Sequence, residues 1–306
     1  LDGSSAASDV YKRQVVFSNK RKIYQSYLKK RNLYLINYFC IMKYTLITGS
    51  SKGIGVEMAY VCAQRKMNLL LVSLPNENLS DITRDISLKY GVETDYFETD
   101  LSKDKNIQSV LKWVKEREYD VNFLINNVGI GGIGPFESYS EEYINNTINI
   151  NIKATTKLCY FFLPELKKNA PSFLLNNASM MANFSCPYKS VYSASKIYIK
   201  NFSRALREEF KPFNISVSTL QPGATPTTEL VRNQVESGGR LARISLTEPK
   251  LVAEVAISKT LAKKKYIIPG WHNKVIVFIL SLLPPSVKIQ LVLHSTKSML
   301  KNGVKS

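Results

Sequence analysis

The sequence predicts an α/β fold: a parallel sheet of about seven strands, doubly wound, with helices on both faces. Three observations predict it. Short, nearly continuous apolar runs recur between residues 44 and 269, the pattern of strands buried on both sides. Longer helical patterns separate those runs, as βαβ units require. A glycine-rich turn, Thr48–Gly55 (TGSSKGIG), joins the first run to the first helical pattern. The composition agrees, since 44% hydrophobic and 22% charged residues over 306 positions is globular and excludes a disordered or collagen-like chain.

The elements follow in order. Tyr44–Thr48 is the first strand, and a helix runs from the glycine turn to about Lys66. Asn68–Ser73 (NLLLVS) is the second strand, followed by a helix over Asn76–Tyr90. Glu93–Glu98 is the third strand, ending at Asp100, and Ser102 is placed to cap a helix over Ser102–Glu118. Val121–Asn126 (VNFLIN) is the fourth strand, with one long helix over Glu141–Lys168 behind it. Pro171–Asn177, the helix Ser190–Lys211, Asn214–Leu220, the helix Pro249–Lys264 and a short strand Tyr266–Pro269 complete the alternation. Right-handed crossovers turn this order into a sheet covered on both faces.

The charge is high and uneven. The formal net charge is +18, and residues 1–41 hold eight basic side chains against Asp2 and Asp9. Such a balance asks for an acidic partner: nucleic acid, a membrane surface or a phosphorylated molecule. No helix-turn-helix and no aromatic–basic platform supports nucleic acid. Ser4–Gln14 (SSAASDVYKRQ) resembles the translation of a transposase sequencing adapter. Residues 1–41 are therefore expected to be a non-native extension, an adapter-like artefact followed by read-through, with a start at Met42. Cys40, Cys62, Cys159 and Cys186 are widely spaced, so reduced thiols are expected rather than a zinc site or a disulfide scaffold. His272 and His294 stand alone in the sequence, and no metal is expected.

Three motifs carry chemistry. TGSSKGIG lies at a strand–helix junction, where glycines allow positive φ and let a backbone approach a pyrophosphate at a helix N-terminus. Asn126-Asn127-Val128-Gly129 follows the fourth strand. Tyr192-Ser-Ala-Ser-Lys196 sets a phenol and an ammonium on one helix face, with Ser179 13 residues upstream and Asn151 a further 28 upstream. Together these resemble the short-chain dehydrogenase/reductase family, with its TGxxxGxG, NNAG and Asn–Ser–Tyr–Lys motifs. The likeness covers Tyr44 to about Gly270.

That resemblance implies a Rossmann-type sheet in the order 3-2-1-4-5-6-7 and an NAD(P)-binding, catalytic domain over residues 42–270. Gly49, Ser51, Lys52, Gly53, Ile54 and Gly55 would hold the cofactor phosphates. Asp100 and Leu101 would meet the adenine, and Asn127 and Gly129 would meet the cofactor backbone. Pro222, Gly223 and Thr227 of the QPGATPT segment would shield the nicotinamide. NADP(H) is favoured over NAD(H). Ser73-Leu74, at the end of the second strand, offers no carboxylate for a ribose 2′-hydroxyl, and Lys52 can face a 2′-phosphate.

The chemistry needs these residue types. Reduction of a carbonyl by hydride requires a proton at its oxygen, and Tyr192 is the implied donor. Lys196 would lower the phenol's pKa and hold the nicotinamide ribose; Ser179 would orient the substrate oxygen; Asn151 would position a water for proton supply. The implied activity is that of a ketoreductase or alcohol dehydrogenase on a hydrophobic carbonyl, 3-oxoacyl or steroid-like. A non-catalytic NADP-binding sensor or assembly protein on the same fold is the alternative. A homodimer or homotetramer is expected, and the cysteine usage points to a cytoplasmic protein, with membrane association left open by the tail.

Residues 224–246, with Gly238-Gly239, lie where the family carries a lid over the substrate. Residues 271–306 form an amphipathic tail whose apolar run, Val275–Leu283, is too short to span a bilayer. It is placed to touch a membrane peripherally, or to pack on the substrate cleft or a partner subunit. YIIPGW and the following NK resemble the tail of bacterial members grouped with acyl and steroid-type ketoreductases.

Overall fold

A computed structural model describes residues 43–236 and 243–303. The expectations for residues 1–41, for Met42 and for Gly238-Gly239 lie outside the described residues. Seven parallel strands form one sheet in the order β3-β2-β1-β4-β5-β6-β7. They are β1 (Tyr44–Thr48), β2 (Asn68–Ser73), β3 (Thr94–Glu98), β4 (Val121–Asn126), β5 (Ser172–Asn177), β6 (Ile215–Leu220) and β7 (Tyr266–Ile267). The connecting helices are α1 (Gly53–Gln64), α2 (Leu79–Tyr90), α3 (Asp104–Glu116), α4 (Glu141–Ile148), α5 (Thr155–Lys168), α6 (Ser190–Phe210), α7 (Glu229–Glu236) and α8 (Pro249–Leu261). Two more, α9 (Trp271–Leu282) and α10 (Pro285–Gly303), follow the sheet.

The apolar runs become strands because both of their faces are covered. Ile47, Leu69, Leu71, Phe123, Ile125 and Leu175 pack with α1, α2 and α8. Their neighbours Leu46, Leu70, Leu124, Leu174 and Val217 pack on the other side with α3, α5 and α6. Alternate side chains of one strand thus enter two different cores, and the polar ones buried there, such as Asn126, Ser172, Asn176 and Ser218, are held by hydrogen bonds. Phe123 and Phe162 are among the largest fully buried side chains, one in each layer. Truncating either to Ala removes about 3–5 kcal/mol of packing.

Three details differ from the sequence reading. First, Ser102 does not cap α3. Asp100 captures the Ser102 N–H at 2.9 Å, and the helix starts two residues later with Lys103 in the cap position. Second, the helix read over Glu141–Lys168 is interrupted by a π-turn, Asn149–Ala154. An extra residue per turn there rotates the helix face, and Asn151 sits inside the turn. Third, the tail is two helices, with Pro285 opening the second. Leu280 of α9 and Val292 of α10 pack against Phe184 and Cys186.

Chain order reverses between β1 and its two neighbours, β2 and β4, so the connections leave to opposite faces there. The crevice beyond the C-terminal ends of β1 and β4 is the ligand site that such a sheet provides.

Candidate active site

The crevice is built first from backbone. Gly49 (φ +66°) and Gly53 (φ +59°) have left-handed conformations. A Cβ on Gly55 would lie 1.9 Å from the Gly49 carbonyl oxygen, so no side chain fits there. A Cβ on Gly53 would come within 2.7 Å of Thr227, which brings the QPGATPT segment onto the turn. The result is a bare cradle at the N-terminus of α1, the geometry that takes a pyrophosphate. Thr48 and Asn127 secure it. Thr48 Oγ1 accepts the N–H groups of Asn127 (3.0 Å) and Val128 (3.2 Å). Asn127 Nδ2 donates back to the carbonyls of Thr48 (3.0 Å) and Gly49 (3.1 Å), and Asn177 Nδ2 donates to Asn127 Oδ1 (2.9 Å).

One end of the cradle carries a carboxylate that the sequence reading missed. Lys52 Nζ donates to Glu77 Oε1 at 2.6 Å, and Ser51 Oγ donates to Glu77 Oε2. Burial raises the Glu77 pKa, but the Lys52 and Ser51 hydrogen bonds and the Lys52 charge outweigh it and hold the carboxyl below its ordinary value. Position 74 holds no acid, yet the loop returns one four residues from the end of β2. Asp100 is also kept below its ordinary pKa: burial opposes ionisation, but Ser102 and Lys103 favour it more.

The other end carries the tyrosine, serine and lysine. Ser179 caps a 3₁₀ turn after β5, and its Oγ accepts the Met181 N–H at 3.1 Å. Its own proton is therefore left for another acceptor. Tyr192 and Lys196 lie on one face of α6, one turn apart. The Tyr192 ring packs on Gly131, where a Cβ would lie 2.9 Å from the ring. Burial raises the phenol's pKa, and a hydrogen bond with Ser179 works against that. The net direction is upward, burial outweighing the influences that lower it. Lys196 is buried, donates to the Asn177 carbonyl at 3.0 Å, and has its pKa lowered to about 8 by burial. Gly129 leaves room for that ammonium: a Cβ there would be 3.1 Å from Lys196 Nζ.

Asn151 is buried behind these groups. Its Oδ1 accepts the Ile130 N–H at 2.9 Å, and its Nδ2 donates to the Ile130 carbonyl and to Ser195 Oγ, both at 2.9 Å. The side-chain amide is thus committed to holding the loop after β4 against α6.

A cavity of about 510 Å³ joins the two ends. Gly49, Ser51, Lys52, Ile54, Asp100, Leu101, Asn127, Gly129, Ser179, Tyr192, Lys196, Pro222, Gly223 and Thr227 line it. Gly53, Gly55 and Asn151 lie behind its wall and shape it. Beyond the sequence expectation, Glu77, Asn177 and Lys189 line it, with Val231 and Val235 of α7 and Val292 and Met299 of α10. Among the described residues no group of three or more His, Cys, Asp or Glu could hold a metal ion. The bare cradle and the glycine-cleared approach to Lys196 fit a nicotinamide dinucleotide.

Comparison with known proteins agrees with this geometry. Residues 43–238 match the family model for short chain dehydrogenases. Inactive hydroxysteroid dehydrogenase-like protein 1 of Homo sapiens is 30% identical over 76% of this chain and 70% of its own length. Very-long-chain 3-oxoacyl-CoA reductase of Anas platyrhynchos is 31% identical over 58% of each chain. The chain spans about three fifths of the length of most of the curated relatives it matches. The solved alcohol dehydrogenase of the archaeon Thermococcus sibiricus, complexed with 5-hydroxy-NADP, superposes with a TM-score of 0.64. It is 26% identical, and the match covers 74% of this chain and 95% of that one. The bacterial grouping suggested by the tail finds no support in the two relatives named first, which are vertebrate. A seven-stranded parallel sheet, a bare glycine cradle and a Ser–Tyr–Lys cavity, with the family model matching across them, show that this chain belongs to the short-chain dehydrogenase family of oxidoreductases.

Proposed function

We propose that the protein is an NADP(H)-dependent ketoreductase or alcohol dehydrogenase acting on a hydrophobic carbonyl or alcohol, 3-oxoacyl or steroid-like. The observation that carries this reading is that Ser179, Tyr192 and Lys196 line the same cavity as the glycine cradle. Gly49, Ser51, Lys52, Gly53, Ile54 and Gly55 would hold the cofactor phosphates, Asp100 and Leu101 its adenine, and Asn127, Gly129, Pro222, Gly223 and Thr227 its nicotinamide half. When bound, the dinucleotide supplies or accepts the hydride.

The protein's own groups manage the proton. Tyr192, its pKa raised by burial, is a neutral phenol at pH 7 and donates its proton to the developing alkoxide. Ser179, its oxygen already accepting from Met181, donates its hydroxyl to the same substrate oxygen and orients it. Lys196 places a positive charge near the phenol and favours the phenolate once the proton has left. Asn151 acts at one remove by fixing the loop from Ile130. The apolar wall, with Met181, Phe184 and Val292, favours a hydrophobic substrate. A panel of carbonyl compounds with NADPH, including acyl thioesters, tests the reading. Carbonyl-dependent NADPH oxidation is expected. Tight NADPH binding with no turnover on any member would favour the non-catalytic alternative, which the human relative's designation as inactive keeps in view.

The tail supports peripheral contact with an anionic membrane. No helix among the described residues is long and apolar enough to cross a membrane. Yet Trp271 (76% exposed), Phe278 (63%) and Leu282 (69%) of α9 face outward. Residues 271–306 include five lysines and no acid. An apolar face on a positively charged segment suits an anionic interface. Co-sedimentation with vesicles containing phosphatidylserine should fall when Trp271 and Phe278 are changed to Ser. Exposed Ile148, Tyr160 and Tyr198 on and beside α5 and α6 favour self-association, which sedimentation velocity would measure.

A further inference from the structure

Lys189 stands three residues before Tyr192, so a helical start places both on one face. Its ammonium lies 5.8 Å from the centre of the Tyr192 ring, and the residue lines the cavity. Among the described residues it makes no side-chain hydrogen bond and no ion pair. The surrounding wall is apolar, including Met181, Phe184 and Val292. The cavity's carboxylates, Glu77 and Asp100, lie at the cofactor end and are held by Lys52 and Ser51, and by Ser102 and Lys103. Burial pushes the Lys189 pKa down, the sign of a cation short of compensation. A half-buried cation that rests on the Tyr192 ring face, with no anion beside it among the described residues, costs free energy that a bound anion recovers.

We propose that Lys189 anchors a substrate carboxylate, so that the preferred substrate is an oxo-carboxylate with an apolar body and its carboxylate within three carbons of the ketone. The proposal rests on the reading of Tyr192 and Ser179 as the carbonyl site. Lys189 then fixes the second oxygen group while those two hold the first. Two anchored points orient the ketone, which a purely apolar pocket cannot do.

The test uses the full chain and a matched pair, 4-oxodecanoate and 4-decanone, with NADPH. Lys189→Met should raise KM for 4-oxodecanoate tenfold or more and leave KM for 4-decanone within twofold. Lys189→Arg should retain most of the discrimination. An equal change on both ketones, or on neither, would overturn the proposal, because a merely structural role moves both alike. Calorimetric titration with octanoate gives a measure that needs no turnover. Octanoate should bind the unaltered chain at least tenfold more tightly than the Lys189→Met variant, and equal binding would overturn the anchor. If neither ketone is reduced while octanoate still discriminates, the catalytic reading fails and the anchor stands.

Discussion

Lys52 and Glu77 meet in a 2.6 Å ion pair at the mouth of the cofactor crevice, although 25 residues separate them. The pair bears on cofactor choice. Glu77 offers an acceptor for ribose hydroxyls and repels a 2′-phosphate, while Lys52 attracts one. Glu77→Gln removes the repulsion and frees Lys52. The ratio of kcat/KM for NADPH to that for NADH should rise about tenfold, equivalent to about 1.4 kcal/mol. Steady-state kinetics with both cofactors measures it, and an unchanged ratio would place the determinant elsewhere.

Tyr192→Phe keeps the ring on Gly131 and removes only the donor. Turnover should fall by about 10²–10⁴-fold, the range for loss of a positioned acid. NADPH binding, followed by fluorescence, should stay within twofold. Full activity in this variant would remove Tyr192 from the chemistry.

Lys196 links the site to stability. Burial lowers its pKa from 10.5 to about 8, so the folded protein releases this proton earlier than the unfolded chain does. Below about pH 8 both states hold the proton and the folded state bears the full cost of a buried charge. As pH rises from 8 towards 10 the unfolded state holds more protons, and this group's contribution to stability rises with pH. Urea titrations at pH 7.5 and 9.5 should show a gain in the unaltered protein relative to Lys196→Met. No difference between the two would show that the ammonium is better solvated than its burial implies.

Asn151→Ala strips the Ile130 N–H and carbonyl of their partner at once. Leaving two part-buried groups unpaired costs about 1–2 kcal/mol in total. The variant should melt earlier, and its kcat should fall more than its KM changes, because Gly129, next to Ile130, borders the Lys196 ammonium. Thermal denaturation and kinetics together separate this from the loss of a direct proton donor, which would leave the melting temperature unaltered.

Much of this molecule was legible as a string. β1, β2 and β4 fall where the apolar runs predict, because strands buried on both faces leave short apolar runs, and the turn signals and helical patterns on either side set them apart from the longer helical run Val275–Leu282. The glycine turn was legible for a steric reason: Gly55 has no room for a Cβ, and Gly49 and Gly53 need positive φ. Tyr192 and Lys196 were legible because helical spacing puts them on one face and because Ser179, Asn151 and the glycine turn accompany them; the spacing by itself carries little. Ser102 misled because a residue that resembles a cap had its own N–H taken by Asp100. The π-turn around Asn151 left no mark in the pattern, since one extra residue in a turn changes rotation and not composition.

The sequence alone therefore determined the sheet, its order by resemblance, and the residues set by local spacing. Only the tertiary structure decided what distant segments do to one another. It brought Glu77 back to Lys52, left Lys189 facing an apolar wall without a counter-ion among the described residues, and laid α10 along the cavity through Val292 and Met299. The physical reason is the same in each case. Hydrophobic patterning and backbone sterics act over a few residues and are written in the local sequence. Charge pairing and cavity closure act through space, and they exist only once the chain has brought their partners together.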